Sequence, residues 1–182
     1  MNGLRLDRRW GGAFLFLLFA CNQGSSDRDL AAVDAAFLHG FRAPIVDRSG
    51  SVIGSAVGKV SQDGLIVSIE VAGLPAGDHG MHLHSTGRCK PPTFANSGPH
   101  WDVGNRKHGH DNPEGAHDGD WGNLTVFEGG KGSTDRLIPR WHNRIPQTGL
   151  SLVIHAGKDD ELTDPDGRSG ERIACAVIFP PP

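Results

Sequence analysis

"GLIVSIEV", residues 64–71, is the stretch that decides the fold. Leu65, Val67, Ile69 and Val71 fall on one face, and Ile66, Ser68 and Glu70 on the other. Alternation with a period of two marks a strand with one buried face. Neighbouring segments repeat the theme: "SVIGSAVGKV" (51–60), "MHLH" (81–84), "NLTVF" (123–127), "LSLVIHA" (150–156) and "RIACAVIF" (172–179) are all short and β-prone. Between them lie turn-forming runs such as "DRSGS" (47–51), "SQDG" (61–64) and "GLPAGDHG" (73–80). With 26 Gly and 12 Pro in 182 residues, turns are favoured over long helices. "AAVDAAFL" (31–38) fits either a short helix or a first strand. The pattern predicts an all-β antiparallel sandwich or barrel.

Two stretches break the rhythm. Residues 86–122 are rich in Gly, His, Asp and Pro and carry no strand pattern; residues 156–171, "AGKDDELTDPDGRSGE", are polar throughout. Loops this long inside a compact domain are functional or disordered. Seven of the ten histidines lie between His79 and His117. A disordered loop gains nothing from that concentration, whereas a metal-stapled loop does.

The chain starts with a different kind of segment. Arg5, Arg8 and Arg9 precede the apolar run "GGAFLFLLFA", which ends at "LFAC", Leu18 to Cys21. That order resembles a bacterial lipoprotein signal, in which the cysteine is acylated and becomes the new N-terminus. Phe19 is larger than the residue usual there, and a buried helix with an incidental cysteine is the plain alternative. The expected division is a signal at 1–20, a tether at 21–38 and one domain at 39–182, in a periplasmic, membrane-anchored protein. Removing Arg5, Arg8, Arg9 and Asp7 from 18 basic and 21 acidic residues leaves 15 and 20, a formal charge of −5. No basic excess speaks for nucleic acid. An anionic substrate would need a local site, because the net charge repels it.

His82 and His84 are two apart, so in a strand both rings face one side, with Cα atoms roughly 6.5 Å apart. Alone such a pair is weak. It is followed by "HWDVGNRKHGHDNPEGAHDGD" (100–120), where His100, His108 and His117 precede Asp120. Three imidazoles and a carboxylate fill a tetrahedral site and suit zinc. His155 closes the apolar run "LVIHA".

"HGMHLH", "GPHWDVGNRKHG", "HDGDWGNL", "LVIHAGKDD" and "ERIACAVI" resemble, in order, the signatures of copper/zinc superoxide dismutases, over about residues 40–179. The resemblance implies an eight-stranded Greek-key β-sandwich or barrel with two long functional loops. It implies copper on His82, His84, His100 and His155, and zinc on His100, His108, His117 and Asp120, with His100 bridging. It implies a Cys89–Cys175 disulfide; the residues alone also permit two unrelated buried thiols. Asp159 becomes the carboxylate that orients one copper and one zinc histidine, and Arg172 the guanidinium that attracts superoxide. Arg172 and Cys175 are three apart, so a strand points them to opposite faces.

His79 is expected to bond backbone near copper, and His110 to be a solvated loop residue. His39 and His142 match no motif. Trp101, Trp121 and Trp141 read as packing. The acidic balance of 156–171 leaves the strength of electrostatic steering open. The expected activity is dismutation of superoxide to oxygen and hydrogen peroxide. A copper or zinc carrier on the same fold is the alternative.

Overall fold

A computed structural model describes residues 40–141 and 144–182. The proposed signal, Cys21, the tether, "AAVDAAFL", His39 and His142 lie outside the described residues. Eight strands run β1 (Phe41–Asp47), β2 (Val52–Val60), β3 (Gly64–Ala72), β4 (Gly77–His84), β5 (Asp120–Val126), β6 (Lys131–Pro139), β7 (Leu150–His155) and β8 (Arg172–Phe179). They close into an antiparallel barrel in the order β1-β2-β3-β6-β5-β4-β7-β8. The β3–β4 and β6–β7 connections each skip two strands, which makes the topology a Greek key.

β3 alternates as its sequence predicts: Leu65, Val67, Ile69 and Val71 are buried in the core, while Ile66 and Glu70 are exposed. β4 and β7 differ, being buried on both faces along most of their length. Met81, Leu83, Leu150, Leu152 and Ile154 join the barrel core. Each such side chain contributes roughly 1.5–3 kcal/mol when removed from water. His82, His84, Val153 and His155 alternate with them and therefore face outward. They are buried nonetheless, because the two long loops cover that face. The buried histidines of β4 and β7 thus sit outside the barrel, between the β4-β7-β8 sheet and its loops.

The loops span 85–119 and 156–171, so the long histidine-rich stretch ends earlier than its composition suggests: Asp120 is the first residue of β5. A 3₁₀ turn, Ala95–Ser97, and an isolated bridge at His100 interrupt the first loop. Cys89 is disulfide-bonded to Cys175 of β8, 86 residues away. By chain entropy, closing a ring of that length stabilises by about 4.6 kcal/mol. Phe94, Val153 and Cys175 pack as a small separate cluster beneath the bridge.

β5 and β6 share a single registered pair, Val126 and Gly132. Beyond it Arg136 spans the gap, donating from Nε to Trp121 O at 2.8 Å and from Nη2 to Asn123 O at 3.2 Å. Trp101, Trp121 and Trp141 are buried in the core, as packing residues should be.

Candidate metal centre

His82 and His84 arrive on β4, and His155 at the end of β7, opposite a bulge on β8 where Ile173 is the extra residue between the Ile154–Ala174 and His155–Arg172 pairs. His100 arrives on the loop but behaves as a strand residue. It bridges to His84, and Ser85 N–H to Pro99 O (2.9 Å) and Trp101 N–H to Leu83 O (2.8 Å) bind its neighbours to the end of β4. Its ring lies 4.1 Å from that of His82, 4.9 Å from His84, 5.2 Å from His108 and 5.5 Å from His117, centroid to centroid. His100 is therefore the ring between two groups.

In the first group, hydrogen bonds assign the tautomers. His84 Nδ1–H donates to Gly98 O at 2.7 Å, His155 Nδ1–H to Gly170 O at 3.0 Å, and His82 Nε2–H to Asp159 Oδ2 at 2.7 Å. Burial holds His82 down to about 3 and His155 down to about 4, and pushes His84 well below its ordinary value. All three are neutral at pH 7 and keep one lone pair each. Those lone pairs, on His82 Nδ1, His84 Nε2 and His155 Nε2, have no hydrogen-bond partner, and nor does His100 Nε2. A buried nitrogen without a partner is costly. Four donor atoms from these residues lie within 4.8 Å of one another, which is the arrangement a copper ion on imidazoles requires.

The second group is organised around an anion. His100 Nδ1 and His108 Nδ1 lie 3.0 Å from Asp120 Oδ1, and His117 Nδ1 lies 3.2 Å from the same oxygen. The other oxygen accepts the backbone N–H of Gly109 and of His117, both at 2.9 Å. Asp159 Oδ1 accepts from His108 Nε2 at 3.0 Å, so Asp159 touches one ring of each group. Burial opposes charge on His108, but Asp120 and Asp159 outweigh it and raise His108 to about 10. Burial likewise works against both carboxylates, yet the facing imidazoles hold them below the ordinary range. A place that favours positive charge this strongly suits a divalent cation. His82, His100, His108 and Asp120 also form a compact set. His82 has no donor left for it, because Nε2 is bound to Asp159 and Nδ1 faces the first group. His117, already on Asp120, completes the second set better.

Arg172 is half-buried at the start of β8. Nη1 donates to Phe94 O and Ser97 Oγ and Nη2 to Gly98 O, each at 2.9 Å. Gly98 O is also the acceptor for His84, so guanidinium and ring are fixed to one another through one carbonyl. His79 bonds backbone at both nitrogens, to His155 O (2.8 Å) and Pro75 O (3.0 Å). His110 is exposed and pairs with Glu161 at 2.7 Å.

Two further residues support Asp159. Asn123 clamps the backbone of Asp159, its Oδ1 accepting Asp159 N–H at 2.8 Å and its Nδ2 donating to Asp159 O at 3.0 Å. Gly167, at φ +62°, leaves room for Asp159: a Cβ there would overlap Asp159 Oδ1 and lie 2.6 Å from His108 Nε2. Neither carries a spacing signature. The glycine in an acidic loop is the one available hint.

A Greek-key barrel bearing two adjacent nitrogen-rich donor sets, with one imidazole between them, defines a class of dinuclear metalloproteins. The chain belongs to the copper/zinc superoxide dismutase family, whose model matches residues 49–178. "Superoxide dismutase [Cu-Zn] 2" of Aquifex aeolicus is 35% identical over 159 residues, covering 82% of this chain and 93% of that protein. "Superoxide dismutase [Cu-Zn]" of Deinococcus radiodurans is 40% identical over 153 residues, covering 75% and 82%. Among solved structures, a double-mutant SOD-like protein from Bacillus subtilis aligns with a TM-score of 0.73 at 34% identity, covering 78% of this chain and 98% of that one. The Cu/Zn superoxide dismutase from Brucella abortus aligns with a TM-score of 0.61 at 30% identity, covering 77% and 99%. The family implies copper and zinc, and the four unpartnered nitrogens and the imidazole-ringed Asp120 fit them.

Proposed function

We propose that the protein is a superoxide dismutase, converting two superoxide ions and two protons to oxygen and hydrogen peroxide. In this reading His82, His84, His100 and His155 would hold copper, and His100, His108, His117 and Asp120 would hold zinc, with His100 common to both sets. Bound copper supplies one-electron exchange between Cu(II) and Cu(I), while zinc has no redox chemistry.

The chain's own residues do the rest. Arg172 supplies fixed positive charge in a molecule of negative net charge. Its carbonyl acceptors hold it in place and leave other guanidinium N–H groups to receive a small anion. When it is not holding the metal, His100 Nε2 would hold a proton and pass it to the reduced oxygen species, while Asp120 restrains the ring from its Nδ1 side. Asp159, touching His82 and His108 together, keeps the two sets at fixed separation.

The observation that carries this reading is the set of four buried imidazole nitrogens without partners, converging beside a fixed guanidinium. The test is superoxide loss catalysed by protein carrying one copper and one zinc per chain. Acceleration far above the buffer rate is expected. Tight metal binding without acceleration would leave a metal carrier.

We also propose export to the periplasm and a lipid anchor on Cys21, supported by the order of charge, apolar run and cysteine in residues 5–21. Cys21→Ser should abolish labelling by a fatty-acid probe; unchanged labelling would refute the anchor.

A further inference from the structure

Three elements meet in a surface depression above Arg172. The β1–β2 turn supplies Arg48, the first loop supplies Thr93 and Ala95, and the end of the second loop supplies Gly170 and Glu171. Its floor belongs to the metal centre, since Gly170 O holds His155 and Arg172 is fixed beside His84 through Gly98 O. Its rim carries a second guanidinium. Arg48 Nη1 lies 2.5 Å from Glu171 Oε2, and both side chains are exposed, at 45% and 73%. Glu171 directly precedes Arg172 in sequence, so the carboxylate restraining the outer cation is covalently next to the inner one.

The second loop offers no cation in the same position. Asp160 accepts from the N–H groups of Leu162 and Thr163, and Asp164 accepts from His108 N–H and Lys107. Its acids fold the loop and hold the zinc-side residues. Of its two cations, Lys158 lies 3.9 Å from Asp78 on β4, and Arg168 is exposed but does not line the depression. In a chain of formal charge −5 beyond residue 20, the cation on the rim of this depression therefore comes from the tight turn 47–51.

We infer that Arg48 is the outer cation on the path by which a small anion reaches Arg172, and that Glu171 positions it and partly cancels its pull. The inference rests on the superoxide dismutase reading and assigns Arg48 and Glu171 a positioning and rate-setting role in it. Arg48 is exposed, so its field is screened by salt over about 8–10 Å. The effect belongs in the association rate, and a single surface charge changes it by about twofold at low ionic strength.

The test uses the copper- and zinc-loaded protein and two readouts. The first is kcat/KM for superoxide against ionic strength. Arg48→Ala is expected to lower it about twofold at low salt, and Glu171→Gln to raise it about twofold, with all three proteins converging at high salt. The second readout is azide binding to copper, followed by its charge-transfer absorbance. Azide affinity should shift in the same directions as kcat/KM and lose the difference in salt. If the wild type binds azide with this pattern but does not turn over superoxide, the enzyme reading fails and the anion path stands. If Arg48→Ala and Glu171→Gln leave both readouts unchanged, or change them independently of salt, the anion path is wrong while the enzyme reading is untouched.

Discussion

The two halves of the metal centre are built by different means. On the proposed copper side, strands deliver three of the four rings, and each of those rings is pinned at one nitrogen by a hydrogen bond and bare at the other. On the proposed zinc side, a loop delivers all three rings, and they are gathered by one carboxylate oxygen. The barrel core preorganises the first half before any ligand arrives. The second half has little apolar packing of its own: His108 is buried and Phe94 and Trp101 anchor other parts of the loop, but 102–107 and 109–115 are largely exposed. Metal binding should therefore complete the order of the loop half and merely fill the strand half.

The largest expected effect concerns the ring common to both halves. His100→Ala should lower dismutase activity and the affinity for both metals by more than the roughly 100-fold typical of losing an outer hydrogen-bond partner. Activity assays with metal competition titrations would show it. Loss confined to one metal would break the idea of a common ring.

Next come the carboxylates. Asp159→Ala should weaken both metals by about 10–100-fold, because Asp159 orients His82 and His108 together. Asp120→Ala should weaken zinc by more than that and leave copper largely retained, with faster amide exchange through 102–117. Equal loss of both metals in Asp120→Ala would contradict the division into halves.

Smaller still is the effect of crowding Asp159 from behind. Gly167→Ala places a methyl group against Asp159 and His108 at a positive φ, and should cost about 1–3 kcal/mol in denaturant unfolding. An unchanged midpoint would show that Asp159 moves freely and is not held by its surroundings.

The smallest sits at the outer edge of the loop half. Asp118 accepts from Arg106, Arg144 and Val103 N–H, and Arg144 also stacks 5.3 Å above Trp101. Burial pushes the Asp118 carboxyl up, but these donors outweigh it and hold Asp118 at about 2. Its contribution is fully present above the ordinary value of 3.8 and is lost as pH falls through about 2, since the unfolded chain binds the proton first. Asp118→Asn should cost about 1–2 kcal/mol at neutral pH, and the gap from wild type should close on acidification to about pH 2. A gap independent of pH would assign the effect to packing.

The same division explains what could be read from the residues alone. β2, β3, β4, β5, β7 and β8 each carried enough β-branched and aliphatic residues to be visible, and the two loops stood out by composition. β1 and β6 did not. β1 includes Pro44, and β6, "KGSTDRLIP", buries only Gly132 and Ile138 fully, so its polar outer face masks the strand. The donor residues were legible because imidazoles at strand and loop spacings have few other uses in such density. Asn123, Gly167 and the carbonyls of Gly98 and Gly170 were not, because they act through backbone groups or through the absence of a side chain. The acids of 156–171 left the strength of steering open in the sequence; in the structure Asp160 and Asp164 mostly satisfy N–H groups of the loops.

The most direct test is a crystal structure of the copper- and zinc-loaded protein with anomalous data collected at both metal edges. The account predicts copper within bonding distance of His100 Nε2 and of His82, His84 and His155, and zinc on His100 Nδ1 with His108, His117 and Asp120. Two ions in those places with the His100 ring bound to neither, or a single ion taking donors from both sets, would contradict it.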